Sequence, residues 1–207
     1  MANYRNPINL EKLIQENLIA LDNLTHIKSG NITNVNKFFP DLFFNKDKSK
    51  IIGELSFKAY HDGKQFILAN NYRDFPKEAQ IFCGCFEIEI DLNDFDFYSN
   101  LYKVYETSNK IIEYAHNNNI KPIDLHLAQN YTNINNDKYK YYCCIGINYP
   151  NEIIGINLIT FLLHFVFPYF AWQAYYQTFN KKPFWGEYSH GRLGLREKRE
   201  DYIIQRN

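Results

Sequence analysis

Two adjacent cysteines, Cys143 and Cys144, stand just ahead of a long stretch almost free of charge, and His126 stands upstream in the run DLHL. A free cysteine ionises near a pKa of about 8.5, so roughly a few per cent is thiolate at neutral pH, yet the thiolate is among the strongest nucleophiles a side chain offers. A thiol flanked by a histidine and a core helix can carry covalent nucleophilic chemistry. Gly146, in CCIG, permits close backbone approach at that point. Set against this, a cysteine in an apolar stretch is ordinarily packing. The other two cysteines, Cys83 and Cys85 in CGC, sit too close together for the usual zinc-finger spacing, as does the CC pair. They are expected as filler on one side of a strand, and neither a metal nor a cofactor is expected.

These residues need elements to hold them. Apolar residues at helical spacing over 9–22 predict an N-terminal helix, with Asn9 as its cap, followed by a polar loop through about residue 50. IIGELSFKAYHDGKQFIL predicts two strands around the turn HDGK. QIFCGCFEIEIDL alternates from Phe82, with Cys83, Cys85, Glu87 and Glu89 on one side and Phe86, Ile88 and Ile90 on the other. SNKIIEYAHNNN predicts a short helix ending in Asn. IKPIDLHLAQN and KYKYYCCIGI are expected to be extended, since Pro122 disfavours helix before it. The order predicts an α+β fold, with an antiparallel sheet of about four strands, an N-terminal helix and C-terminal core helices. Residues 1–50 are taken as helix and loop, and 51–207 as a single domain.

From Ile153 to Asn180 there is no Asp, Glu, Lys or Arg, long enough for a membrane span of about 20 residues. Asn157, Thr160 and His164 nevertheless make a polar stripe, Pro168 interrupts the middle, and Gln173 and Gln177 soften the far end. A buried helix starting near Leu158, capped by Asn157, kinked at Pro168 and stopped by Lys181–Pro183 is therefore expected, with His164 a satisfied core histidine. The chain has 207 residues, 45% hydrophobic and 17% aromatic, so a core built on rings is expected. Lys+Arg and Asp+Glu are both 23, which argues against a strong nucleic-acid binder, because duplex binding needs a basic surface. The N-terminus does not read as a secretory signal, so a cytoplasmic protein with reduced thiols is expected.

The series FEIEIDLNDFDFYSNLYKVYETSNKI, LHL, CCIG, an apolar helix and FWGEYSHGRLGL resembles bacterial relatives of ubiquitin-conjugating enzymes, whose genes occur in antiphage defence operons. In that family a segment P-x-V-x-E-T precedes a histidine, then C-L-G, then a long helix. LYKVYET matches the first element, with Tyr102 where proline is common; His126 matches the histidine and Cys144–Gly146 the cysteine motif. The resemblance covers roughly residues 50–195. It implies a ubiquitin-conjugating-enzyme-like fold and a thioester at Cys144 with the C-terminus of a modifier protein, received from an activating-enzyme-like partner and passed to an amine. Cys143 is then a neighbour, a backup or the true site. The eukaryotic enzymes carry a His-x-Asn motif whose Asn steadies the oxyanion. Here HLA lacks that Asn, and Asn130, Asn133, Asn135 or Asn136 would have to substitute. FWGEYSHGRLGLREKRED, with Glu187, His190 and Arg192, is a second candidate site, its alternative being a turn-rich tail with solvated charges. The competing functions are a non-catalytic binding protein on the same scaffold and an immunity or toxin-neutralising protein.

Overall fold

A computed structural model describes residues 25–63, 65–69, 75–96, 101–131, 137–145 and 156–181. The predicted helix over 9–22, Gly146, Asn133, Asn135, Asn136 and the segment from Phe184 onward lie outside these residues. The fold is α+β. Strands β1 (Leu42–Phe44), β2 (Lys50–His61), β3 (Phe66–Leu68), β4 (Ile81–Asp96) and β5 (Leu101–Glu106) form one antiparallel sheet, where about four strands were expected. Its order is β1-β2-β4-β5, with β3 also paired to β2. Strands β6 (Leu127–Gln129) and β7 (Tyr141–Cys143) form a separate antiparallel pair.

The β2–β3 hairpin follows from local chemistry. Asp62 Oδ1 accepts from the Gln65 amide at 2.8 Å, and Gly63 takes φ +96°, which a residue with a Cβ rarely adopts. Strand β4 keeps the predicted alternation: Phe82, Phe86, Ile88, Ile90 and Leu92 are buried, while Cys83, Cys85 and Glu87 are exposed. Glu89 departs from it. The sequence places it on the polar face, but it is only 5% exposed, because the turn at Asp137–Tyr139 folds over that face. Lys50 and Lys138 bond its carboxylate at 2.5 and 3.1 Å, and the Tyr139 hydroxyl donates at 3.1 Å.

The expected polar loop before residue 50 also behaves differently. Ile27, Val35, Phe39 and Leu42 are at most 1% exposed and join the same core as the sheet. The short helix α1 (Ile32–Val35) and strand β1 lie within this stretch, so the core crosses the boundary drawn at residue 50.

Helix α2 (Lys110–Asn117) forms where a short helix was expected, and Asn118 caps its end. Its start is held from a distance: Glu106 accepts from the amides of Ser108 at 3.0 Å and Ile111 at 3.2 Å. Residues 121–126 are not extended throughout as expected. Lys121 is extended, but Pro122–Leu125 makes a tight turn of 3-10 helix before β6, since proline's fixed φ suits a first helical position.

Helix α3 (Leu158–Phe179) lies across the inner face of the sheet. Asn157 caps it as predicted, its side chain accepting from the Thr160 amide at 3.0 Å. Through Leu162–Val166 the turns widen to π geometry just ahead of Pro168, which has no N–H to give and whose ring would press on the carbonyl of His164 in a regular α-turn. The helix stops one residue before Lys181, at Asn180 in the left-handed conformation (φ 48°). The polar stripe faces solvent: His164 is exposed rather than a core histidine. The core is aromatic, with Phe57 edge-on to Phe167 at 5.2 Å, Phe86 against Phe170 at 5.0 Å and Phe82 edge-on to Tyr175 at 5.5 Å. By length and composition α3 would suffice to cross a membrane, yet 67% of its most apolar window is buried against the rest of the chain.

Candidate functional site

The β6–β7 pair assembles the predicted residues. Its register sets Leu127 opposite Cys143, Ala128 opposite Tyr142 and Gln129 opposite Tyr141. One residue past the ladder, the Cys144 amide donates to the His126 carbonyl at 2.7 Å. His126 and Cys144, eighteen positions apart in the sequence, thus meet through their backbones. His126 takes φ 56°, the left-handed conformation, where the chain turns from the 3-10 segment into β6. Its ring meets Trp172 of α3 edge-on at 5.1 Å between centroids.

Alternation along β7 separates the two thiols. Cys143 points inward and is 2% exposed, whereas Cys144 is half-buried. Burial pushes the Cys143 thiol well above its ordinary range; the Tyr169 hydroxyl, hydrogen-bonded to it, offsets only part of this. A sulfur so sealed stays protonated at neutral pH and has no path to a substrate. Of the adjacent pair, Cys144 is the more exposed.

Asn130 is not brought to the thiols. Its amide continues the ladder to the Lys140 carbonyl at 2.7 Å, three residues along β6 from Leu127, or about 10 Å at the rise of a strand. The side chain is buried, and its Nδ2 donates to the Tyr105 hydroxyl at 3.0 Å. That hydroxyl in turn donates to Asp94 at 3.1 Å, tying the hairpin to β4 and β5. The place of Asn130 is structural.

Helix α3 contributes side chains that were not singled out as site residues. The Tyr169 hydroxyl and Gln173 Nε2 both donate to the Leu125 carbonyl, at 3.3 and 2.6 Å, and so pin the turn that leads into His126. Gln173 is fully buried, its Oε1 lacking a hydrogen-bond partner among the described residues, and the indole nitrogen of Trp172 likewise has none. A signal was present: Tyr169, Trp172, Gln173 and Tyr176 recur at spacings of three and four, a polar-tipped stripe on one face of an otherwise apolar helix. Glu106, the acid of VYET, lies on the inner face opposite Ile88, close enough for its charge to act on Cys143. Its side chain is used as the cap of α2.

Among the described residues, no set of three or more His, Cys, Asp or Glu side chains converges as a metal site would. Comparison with known proteins found no matching family model, curated protein or solved structure.

Proposed function

We propose that this chain is a ubiquitin-conjugating-enzyme-like acyl carrier in which Cys144 forms a thioester with a protein C-terminus and passes it to an amine, acting in bacterial antiphage defence with an activating-enzyme-like partner. The observation that carries the reading is the pairing of Cys144 with His126 at the open end of the β6–β7 ladder, against α3. In the first step the Cys144 thiolate attacks the carbonyl carbon of the incoming thioester. The bond to the donor's sulfur breaks, and that sulfur leaves as a thiolate. In the second step an amine attacks the same carbonyl, a C–N bond forms, the bond to Cys144 breaks, and the nitrogen loses a proton. Splitting the transfer this way replaces one hard acylation with two easier ones. His126 is a positioning residue: its carbonyl holds the Cys144 amide, and its ring is fixed by Trp172.

A binding protein on the same scaffold is the second reading, and one observation favours it. Each acyl transfer passes through an oxyanion, and losing one donor to it typically costs about 10²–10³ in rate. Here the Cys144 amide is committed to His126, and Asn130 Nδ2 to Tyr105.

A small peptide thioester ending in glycine, offered to the purified chain, separates the two. Mapping by mass spectrometry should find Cys144 acylated faster than the exposed Cys83 and Cys85, Cys143 unmodified, and the Cys144 adduct discharged by added lysine. Cys144→Ser should abolish the discharging adduct, while Cys143→Ser leaves it. Acylation of Cys144 no faster than that of Cys83 and Cys85, or an adduct that does not discharge, would replace the enzyme reading with the binding one.

A further inference from the structure

Cys83 and Cys85 were expected to fill space on a strand, and they do not. Both are exposed, on the same face of β4, two residues apart. What fixes their spacing lies on the opposite face. Gly84 points inward, where the ring of Phe57 occupies the room a Cβ would need. The strand's pairing with β2 runs unbroken there, Lys58 lying opposite Cys83 and Ser56 opposite Cys85. On the far side, Lys110 donates its ammonium to the Cys85 carbonyl at 2.7 Å and sits 3.8 Å from Cys85 Sγ. Glu54 completes the surroundings; the Ser56 hydroxyl and, after it, the Cys85 thiol hold its carboxyl below the usual range.

Side chains at i and i+2 on one strand face start about 6.6 Å apart at the Cα atoms. A disulfide between them would demand that the Cβ atoms close to about 3.8 Å, which parallel Cβ vectors on one strand face oppose. A metal between the sulfurs relaxes that demand: with metal–sulfur bonds of about 2.3 Å, two sulfurs in line lie about 4.6 Å apart, within reach by χ1 rotation alone. Tetrahedral zinc is not served, since no third ligand converges with the pair among the described residues. Thiolate ligands select soft monovalent copper over the harder divalent ions that the neighbouring Glu54 carboxylate would suit.

We propose that Cys83 and Cys85 form a two-coordinate site for a soft monovalent cation of the copper(I) or silver(I) class, on the sheet face away from α3. Binding exchanges two thiol protons for one metal ion. The product carries one net negative charge; the ammonium of Lys110 beside Cys85 offsets it while also facing the Glu54 carboxylate.

The test uses the reduced full chain titrated with copper(I) against a chromophoric copper(I) chelator. One ion should bind per chain, with two protons released and an X-ray absorption edge characteristic of linear two-sulfur coordination. Cys83→Ser and Cys85→Ser should each weaken binding by at least about 100-fold, because even outer-shell partners typically contribute about 10- to 100-fold. Lys110→Met should weaken it by a smaller factor. Cys144→Ser should leave it unchanged, which keeps the outcome independent of the acyl-carrier reading. Both cysteines are exposed, so the serine variants should fold, as circular dichroism would verify. Copper(I) retained by the double variant Cys83→Ser/Cys85→Ser, loss of binding in Cys144→Ser, coordination by more than two sulfurs, or no competition with the chelator would each overturn the proposal.

Discussion

Two glutamates on neighbouring strands show how one side-chain type takes opposite electrostatic roles. Burial pushes Glu89 up, but hydrogen bonds from Lys50, Lys138 and Tyr139 outweigh it and bring the carboxyl below its ordinary value of 4.5. Glu106 is raised: burial dominates, and the bonds from Ser108 and Ile111 only partly compensate. The signs of the linkage therefore differ. Glu89, depressed in the fold, stabilises above the ordinary carboxylate value, and that contribution is lost as pH falls through its folded value. Glu106, raised in the fold, stabilises fully below the ordinary value and loses that contribution as pH rises through its folded one. Glu89→Gln should thus lower stability at pH 7 by about 2 kcal/mol, less than the usual loss for a broken buried pair because both lysines are partly exposed. The deficit should close only below about pH 4.5. Glu106→Gln removes a desolvated charge but leaves one acceptor where Oε1 and Oε2 serve Ser108 and Ile111 separately, so its deficit against the parent should be smaller at pH 7 than in acid. Urea melts of both variants at pH 7 and pH 4 read the two opposite slopes.

Among the elements, β4 is the one whose sequence says most. Its period of two, with Phe82, Phe86, Ile88, Ile90 and Leu92 inward, was visible because each residue's face follows from its parity alone. The β2–β3 hairpin was visible in Asp62-Gly63, and the start of α3 in Asn157. Residues 122–125 were misjudged, because proline excludes helix before itself but favours a helical turn after. Strand β1 was missed because a three-residue strand in a polar stretch has no period to recognise; only its pairing with β2 makes it a strand. Gly84 belongs to this scale as well. Gly84→Ala would drive a methyl into the Phe57 ring and should cost about 1–3 kcal/mol, the usual range for overpacking. The double variant with Phe57→Leu should recover part of that loss in thermal unfolding. A Gly84→Ala variant as stable as the parent would mean that β4 does not lie against Phe57 as described.

For the molecule as a whole, the decisive question is what α3 packs against. Its composition admits a membrane span, and its length suffices. The sheet supplies the alternative, a layer of Phe57, Phe82 and Phe86 rings meeting Phe167, Phe170 and Tyr175. If α3 is the core helix, Phe170→Ala should lower the free energy of global unfolding by about 3–5 kcal/mol in aqueous buffer without detergent, as large-to-small changes in cores do. A wild type that stays in solution only with detergent, or a Phe170→Ala variant with unchanged stability, would speak for a helix whose apolar face meets lipid instead.

From the sequence alone came whatever depends on neighbours along the chain: the faces of β4, the turn at Asp62-Gly63, the cap at Asn157, and the α+β order of elements. Such features follow from backbone geometry and hydrogen bonds a few residues long. Tertiary structure alone decided which polar groups are covered and which are open. Cys143 and Cys144 are chemically identical neighbours, yet one is sealed beneath Tyr169 while the other stands half-open beside His126. Glu89 sits in a polar register and is buried, and His164 sits in an apolar helix and is exposed. In each case the outcome turns on a segment far away in sequence lying over the residue or leaving it bare, and desolvation depends on that cover rather than on the residue's own type.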